Sequence, residues 1–178
     1  MARISPILAF QLIISSLFSS FAMIPVSGEN HGFVGSIDPK LFGLQNEKLT
    51  HIRLFWHDIR NGPHPSATNF GLVRMFGNAL TIGPELSSEL VGRAQGFYAS
   101  AARKKLSLLM VQNFAFVLGK FNGSSISLIG RNSIFNKVRV RELPVVGGSG
   151  AFRFARGYAE ATTTGNATVE YNIFVLHY

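Results

Sequence analysis

The chain has no cysteine among its 178 residues, which excludes disulfides, thiolate metal sites and cysteine nucleophiles and leaves the compartment to be read from the N-terminus. Carboxylates are scarce as well. Nine acidic residues stand against 17 lysines and arginines, and only two of the nine are aspartates, Asp38 and Asp58. Outside the N-terminal leader no long segment carries a helical period, so the fold must be built from short strands. Glycine-rich phosphate and nucleophile motifs are missing too. Gly148-Ser149-Gly150 lacks the third glycine of a dinucleotide loop, where Arg153 stands, and Ala151 occupies the position at which a nucleophile elbow needs glycine. His51, His57 and His64 match no strong ligand spacing, so no metal and no cofactor are expected.

What is present begins with the leader. Met1-Ala2-Arg3 is a short basic start, the stretch from Ile4 to Phe21 is apolar and dotted with serine, and Ser20-Phe21-Ala22 supplies small residues for cleavage. This pattern predicts a secretory signal peptide over residues 1–22, with the cut between Ala22 and Gly28. An uncleaved membrane anchor is the competing reading, disfavoured by Pro6, Gln11 and the serines that interrupt the apolar run. In a secreted chain the sequons at Asn122 and Asn166, each in a predicted turn, become glycosylation sites. The net charge of +8 suits an extracellular protein that adheres to acidic cell-wall polysaccharide better than it suits a nucleic-acid binder, because the bases are spread along the chain.

The mature chain, long enough for one domain, reads as an N-terminal arm over residues 29–50 and a single β domain over 51–178. His51 to Asp58 alternates, with Ile52, Leu54, Trp56 and Asp58 on one face. Phe70–Phe76 is a short apolar segment, and further strands are expected over Val91–Ser100, Leu106–Leu118, Ser125–Ile129, Lys137–Val146 and Thr168–Tyr178, with turn residues between them. From Phe152 onward the bulky residues Phe152, Phe154, Arg156, Tyr158 and Glu160 alternate with Arg153, Ala155, Gly157 and Ala159. That predicts a strand with one bulky face and one mostly small face, the small face leaving room for a close-packed neighbour or for a pocket. Several short strands separated by turns argue for an antiparallel sandwich or a closed barrel.

Taken in order, Leu54-Phe-Trp-His-Asp-Ile59, Leu80-Thr-Ile-Gly-Pro84, Val91-Gly-Arg-Ala-Gln-Gly-Phe-Tyr98, Asn113-Phe-Ala-Phe116, Phe121-Asn-Gly-Ser124, Pro144-Val-Val-Gly-Gly-Ser-Gly150, Phe152-Arg-Phe-Ala-Arg-Gly-Tyr158 and Val169-Glu-Tyr-Asn172 cover nearly the whole mature chain. In this order they resemble the plant dirigent protein family. The resemblance implies an all-β fold, an eight-stranded antiparallel barrel, secreted into the apoplast, glycosylated and associated as a homotrimer. It also implies a role in lignan and phenylpropanoid synthesis: binding phenoxy radicals made by a separate laccase or peroxidase and directing their stereoselective coupling. The alternatives are an acid-assisted enzyme acting on quinone-methide intermediates and a structural organiser of lignin deposition in the wall.

Three departures from the family pattern bear on these expectations. The segment Arg60–Asn69 is short for the second strand that usually follows, so one strand is expected to be missing or shortened. Gly77 and Asn78 stand where the family tends to have aspartates. Asn132 stands where the radical-coupling members carry an aspartate in the pocket, and an amide can hydrogen-bond a phenol but cannot protonate it.

Asp58 is the candidate catalytic acid. It shares a strand face with Leu54 and Trp56, and a carboxyl there is placed to donate a hydrogen bond or a proton to a substrate oxygen. The alternative is a structural aspartate capping the turn at Arg60-Asn61. Among the expected substrate-binding residues, Tyr98 and Asn132 rest on the resemblance, as does Arg141 with Arg139 as its alternative, while Arg156 and Tyr158 rest on strand parity alone.

Overall fold

The computed structural model describes residues 37–58, 70–103, 107–133, 139–165 and 167–178. The chain divides into two units, Met1–Phe42 and Gly43–Tyr178. In the first, the described residues hold a 3-10 turn, Pro39–Phe42, where the Lys40 N–H donates to Asp38 Oδ1 at 2.9 Å. One of the two aspartates is thereby used as a local cap.

The second unit is a closed antiparallel barrel of eight strands in sequence order: β1 (Lys48–His57), β2 (Val73–Thr81), β3 (Leu90–Ser100), β4 (Leu108–Phe116), β5 (Ser125–Asn132), β6 (Val140–Ser149), β7 (Arg156–Gly165) and β8 (Thr168–His177). Period-two alternation writes these strands into the sequence, and closure buries one parity of each. On β4 the inward set is Leu108, Met110, Gln112, Phe114 and Phe116, and on β8 it is Val169, Tyr171, Ile173, Val175 and His177.

The barrel retains all eight strands despite the short 60–69 segment. The second strand spans Val73–Thr81 and overlaps the apolar segment Phe70–Phe76, with Gly77 and Asn78 paired in register with Gln95 and Ala94 of β3. What is shortened is the seam. β1 pairs with β8 along all ten of its residues, but with β2 only at Phe55↔Thr81 and Trp56↔Leu80. Beside that seam His57 is buried, with its Nε2 2.7 Å from Thr81 Oγ1. The Thr81 hydroxyl spends its single proton on the Gly83 carbonyl at 2.7 Å, so it accepts from His57 Nε2–H, which fixes the tautomer. Burial holds the His57 pKa below its ordinary value, with Glu85 pulling weakly the other way.

Two glycines let neighbouring strands close up. Gly96 on β3 and Gly157 on β7 have φ of 159° and 151°, and a Cβ on either would stand 2.0 Å from a carbonyl oxygen of the adjoining strand.

The alternating stretch from Phe152 does not begin as the expected strand. Gly150–Phe152 is a 3-10 turn, Phe154 has φ of 61°, and strand structure begins only at Arg156. Phe152 instead joins Phe116, Phe121 and His177 in a ring cluster, with Phe121–Phe152 at 4.7 Å and Phe152–His177 at 5.1 Å, that stops one end of the barrel. His177 is held there from both sides: Nδ1–H donates to the Ala151 carbonyl at 3.0 Å, and Nε2 lies 2.8 Å from the Thr50 hydroxyl. The other end, where β1 leaves toward β2 and β5 toward β6, carries the polar interior.

Candidate functional site

The site lies in the half of the barrel away from the ring cluster. Its walls are aromatic because inward positions on five strands, β1 to β4 and β8, carry rings. Tyr98 stacks on Phe76 at 6.3 Å, Phe76 tilts against Trp56 at 5.3 Å, Trp56 meets Tyr171 edge-on at 6.5 Å, and Tyr171 meets Phe114 edge-on at 5.1 Å.

Polar groups are set into this wall. Gln112 on β4 donates from Nε2 to the Tyr171 hydroxyl on β8 at 3.0 Å, both side chains being buried. Burial pushes the Tyr171 pKa up to about 12, against the Gln112 hydrogen bond and the positive charge of Arg141; the negative charge of Asp58 adds to the rise. Tyr171 is therefore a neutral hydroxyl at physiological pH. Arg141 reaches it from β6, with its Nε donating to the Ala161 carbonyl at 3.3 Å. Asp58, half-buried at the end of β1, continues the ladder through its N–H to the Ala167 carbonyl at 2.8 Å.

Four buried polar atoms find no hydrogen-bond partner among the described residues: Trp56 Nε1, Asn78 Nδ2, Ser100 Oγ and Asn132 Oδ1. All four belong to the inward-facing parity of their strands. Buried polar groups are nearly always satisfied in a finished protein, so a cluster of exceptions lining one interior marks a place where a ligand or water completes the bonding.

Of the residues expected from sequence, Asp58, Tyr98, Asn132 and Arg141 face this interior. Tyr98 is buried, while Asn132 and Arg141 are half-buried. Arg156 and Tyr158 do not join them. Closure turns the small parity of β7 inward, so that Ala159 and Ala161 are buried in the core and the bulky parity faces out. Arg156 is exposed and pairs with Glu47 (Nη2 to Oε1 2.6 Å) and with the Tyr178 hydroxyl; Tyr158 stacks on Phe174 at 5.1 Å, with His51 on the other side of Phe174 at 4.6 Å. Asn122 is exposed after the 3-10 turn Gly119–Phe121, while Asn166 lies outside the described residues, as does the turn that Asp58 was alternatively expected to cap.

Phe76, Gln112 and Tyr171 are not among the site residues expected from sequence, and Trp56 is expected only as a neighbour of Asp58 on its strand face. A signal existed for Gln112, the one polar side chain on the inward parity of β4. Its partner Tyr171, 59 residues away, carried none.

Comparison with known proteins bears on what such an interior is for. The family model described as dirigent-like protein matches residues 49–176, nearly the whole barrel. Dirigent protein 7 of Arabidopsis thaliana is 48% identical, over 94% of this chain and 97% of its own. Pterocarpan synthase 1 of Glycine max is 46% identical, over 82% of this chain and 88% of its own. The solved structure of a pterocarpan synthase dirigent protein, 45% identical, superposes with a TM-score of 0.70 over 82% of this chain and 98% of that one. A chain whose barrel and sequence both match in this way belongs to the dirigent-like protein family.

Proposed function

We propose that this protein binds phenolic radicals generated by a separate laccase or peroxidase and holds them so that they couple with one stereochemistry, in lignan or related phenylpropanoid synthesis. The observation that carries this reading is the barrel interior, where rings from Tyr98, Phe76 and Trp56 share the inward face with four buried polar atoms that have no partner among the described residues. Such a wall can stack a phenolic ring and satisfy its oxygens. Fixing the relative orientation of two reactants contributes by proximity alone and needs no covalent step.

The reading includes secretion to the apoplast, motivated by the leader, and glycosylation, motivated by the exposed Asn122. It includes a homotrimer as well. Met75, Phe97, Val111 and Ile129 align in register across the outer faces of β2 to β5, and a second copy would cover this apolar row.

A second reading is acid-assisted turnover of a quinone-methide intermediate. It draws on the 46% identity to a pterocarpan synthase and on the charges of Asp58 and Arg141, which both act on the Tyr171 hydroxyl. Incubation of the purified protein with a laccase and coniferyl alcohol, followed by chiral chromatography of the dimers, tests the first reading. One enantiomer in excess is expected, and a racemic product at saturating protein would overturn it.

A further inference from the structure

Two of the unpartnered atoms are donors on adjacent strands. Trp56 on β1 pairs in register with Leu80 on β2, and Asn78 lies two residues from Leu80 on the same inward face. The indole and the amide are 4% and 5% exposed, so neither Nε1–H nor Nδ2–H is open to bulk solvent. A buried N–H without an acceptor is costly, and two such donors on adjacent strands favour one acceptor that serves both. The described inward-facing charges in this half are Asp58 against Arg74 and Arg141, an excess of one positive charge. The unpartnered acceptor, Asn132 Oδ1, belongs to β5, four strands from β1 and so on the opposite wall of an eight-stranded barrel.

We infer that Trp56 Nε1–H and Asn78 Nδ2–H together hold one oxygen of the ligand, and that the oxygen they select is an electron-rich one conjugated to an aromatic ring, a phenolate or a quinone-methide carbonyl, in preference to a neutral phenol. This inference rests on the reading of the interior as a phenol-binding site and assigns its polarity. The accepting oxygen lies toward β1 and β2, with the ring against Trp56 and Phe76, while a hydroxyl at the far end of the ligand donates to Asn132. A fixed polarity of this kind makes the two faces of a bound ring inequivalent, which any stereoselective reaction requires. Asn78 serves here as an amide; an aspartate in its place would present an acceptor where the ligand needs a donor.

The probe is 4-nitrophenol, whose phenolate absorbs at longer wavelength than the phenol, and the protein supplies a second signal because Trp56 is its single tryptophan. With the purified full chain, bound dye should quench Trp56 fluorescence and ionise at lower pH than free dye. Asn78→Asp should weaken phenolate binding by about tenfold or more, the effect of losing a hydrogen bond to a charged oxygen. Trp56→Phe, followed by absorbance, should do the same while keeping the ring, and both should abolish the shift in dye ionisation. Circular dichroism confirms the fold of each variant; if one fails to fold, the other decides. Phenolate binding within twofold of the unsubstituted protein, with the ionisation shift intact, would overturn the donor pair while leaving the phenol site standing. Absence of any dye or coniferyl alcohol binding to the unsubstituted protein would overturn both.

Discussion

Gln112 and Tyr171 meet across the inside of the barrel, β4 to β8, through a 3.0 Å hydrogen bond between two side chains that are each 2% exposed. β4 and β8 lie four strands apart in the closed order, so the bond ties opposite walls of the barrel together. Removing one partner strands the other in an apolar core. Gln112→Leu and Tyr171→Phe are each expected to lower stability by about 1–3 kcal/mol, and the double variant by less than the sum. Urea denaturation of the four proteins measures the coupling; additive losses would show that the bond contributes nothing of its own.

The barrel should weaken on mild acidification because of His57. Its folded pKa lies below the ordinary 6.5, so between the folded value and 6.5 the unfolded chain binds more protons than the fold. The contribution is complete above 6.5 and is lost as the pH falls toward the folded value. His57→Gln keeps a side-chain donor for Thr81 but does not titrate, and should flatten the stability profile over that interval. Thermal melts of the two proteins from neutral pH downward test this, and an unchanged slope in the variant would assign the acid sensitivity elsewhere.

The β1–β2 seam should open before the rest of the barrel. Two register pairs join it among the described residues, against ten between β1 and β8. Local openings follow the weakest hydrogen-bonded boundary. Native-state hydrogen exchange should find less protection for amides bridging Phe55 and Thr81 than for those between β1 and β8. Equal protection would mean that the segment between the strands holds the seam by other contacts.

Asp58 decides between orientation and acid chemistry. Asp58→Asn preserves shape and hydrogen bonding but cannot give up a proton. Under the acid reading the variant folds normally and loses roughly a hundredfold or more in turnover of a quinone-methide substrate. Under the orienting reading, binding persists and enantiomeric excess shifts only modestly. Unfolding with no specific effect on product would make Asp58 structural.

The sequence by itself determined the elements. Alternation places β1, β3, β4 and β8 within a few residues of where they fold, and turn residues such as Gly119 and Gly123 bound them, because side-chain period and turn conformation are local properties. The ordered motifs reach further, to the family and the eight-stranded barrel, and they set Asp58 by strand parity and Tyr98 by the family match on the inner face. Tertiary structure decided which parity of each strand faces in. Either face of β7 could have been the inner one by pattern alone; closure chose the small one, since Ala159 and Ala161 leave room inside that Arg156 and Tyr158 would have filled. It decided that Asn78 continues a strand, because pairing with Ala94 outweighs its local preference for a turn. It also brought Gln112 to Tyr171 and left Trp56 Nε1 without a partner among the described residues: register around a closed barrel is set by all eight strands at once, and no window of sequence contains it.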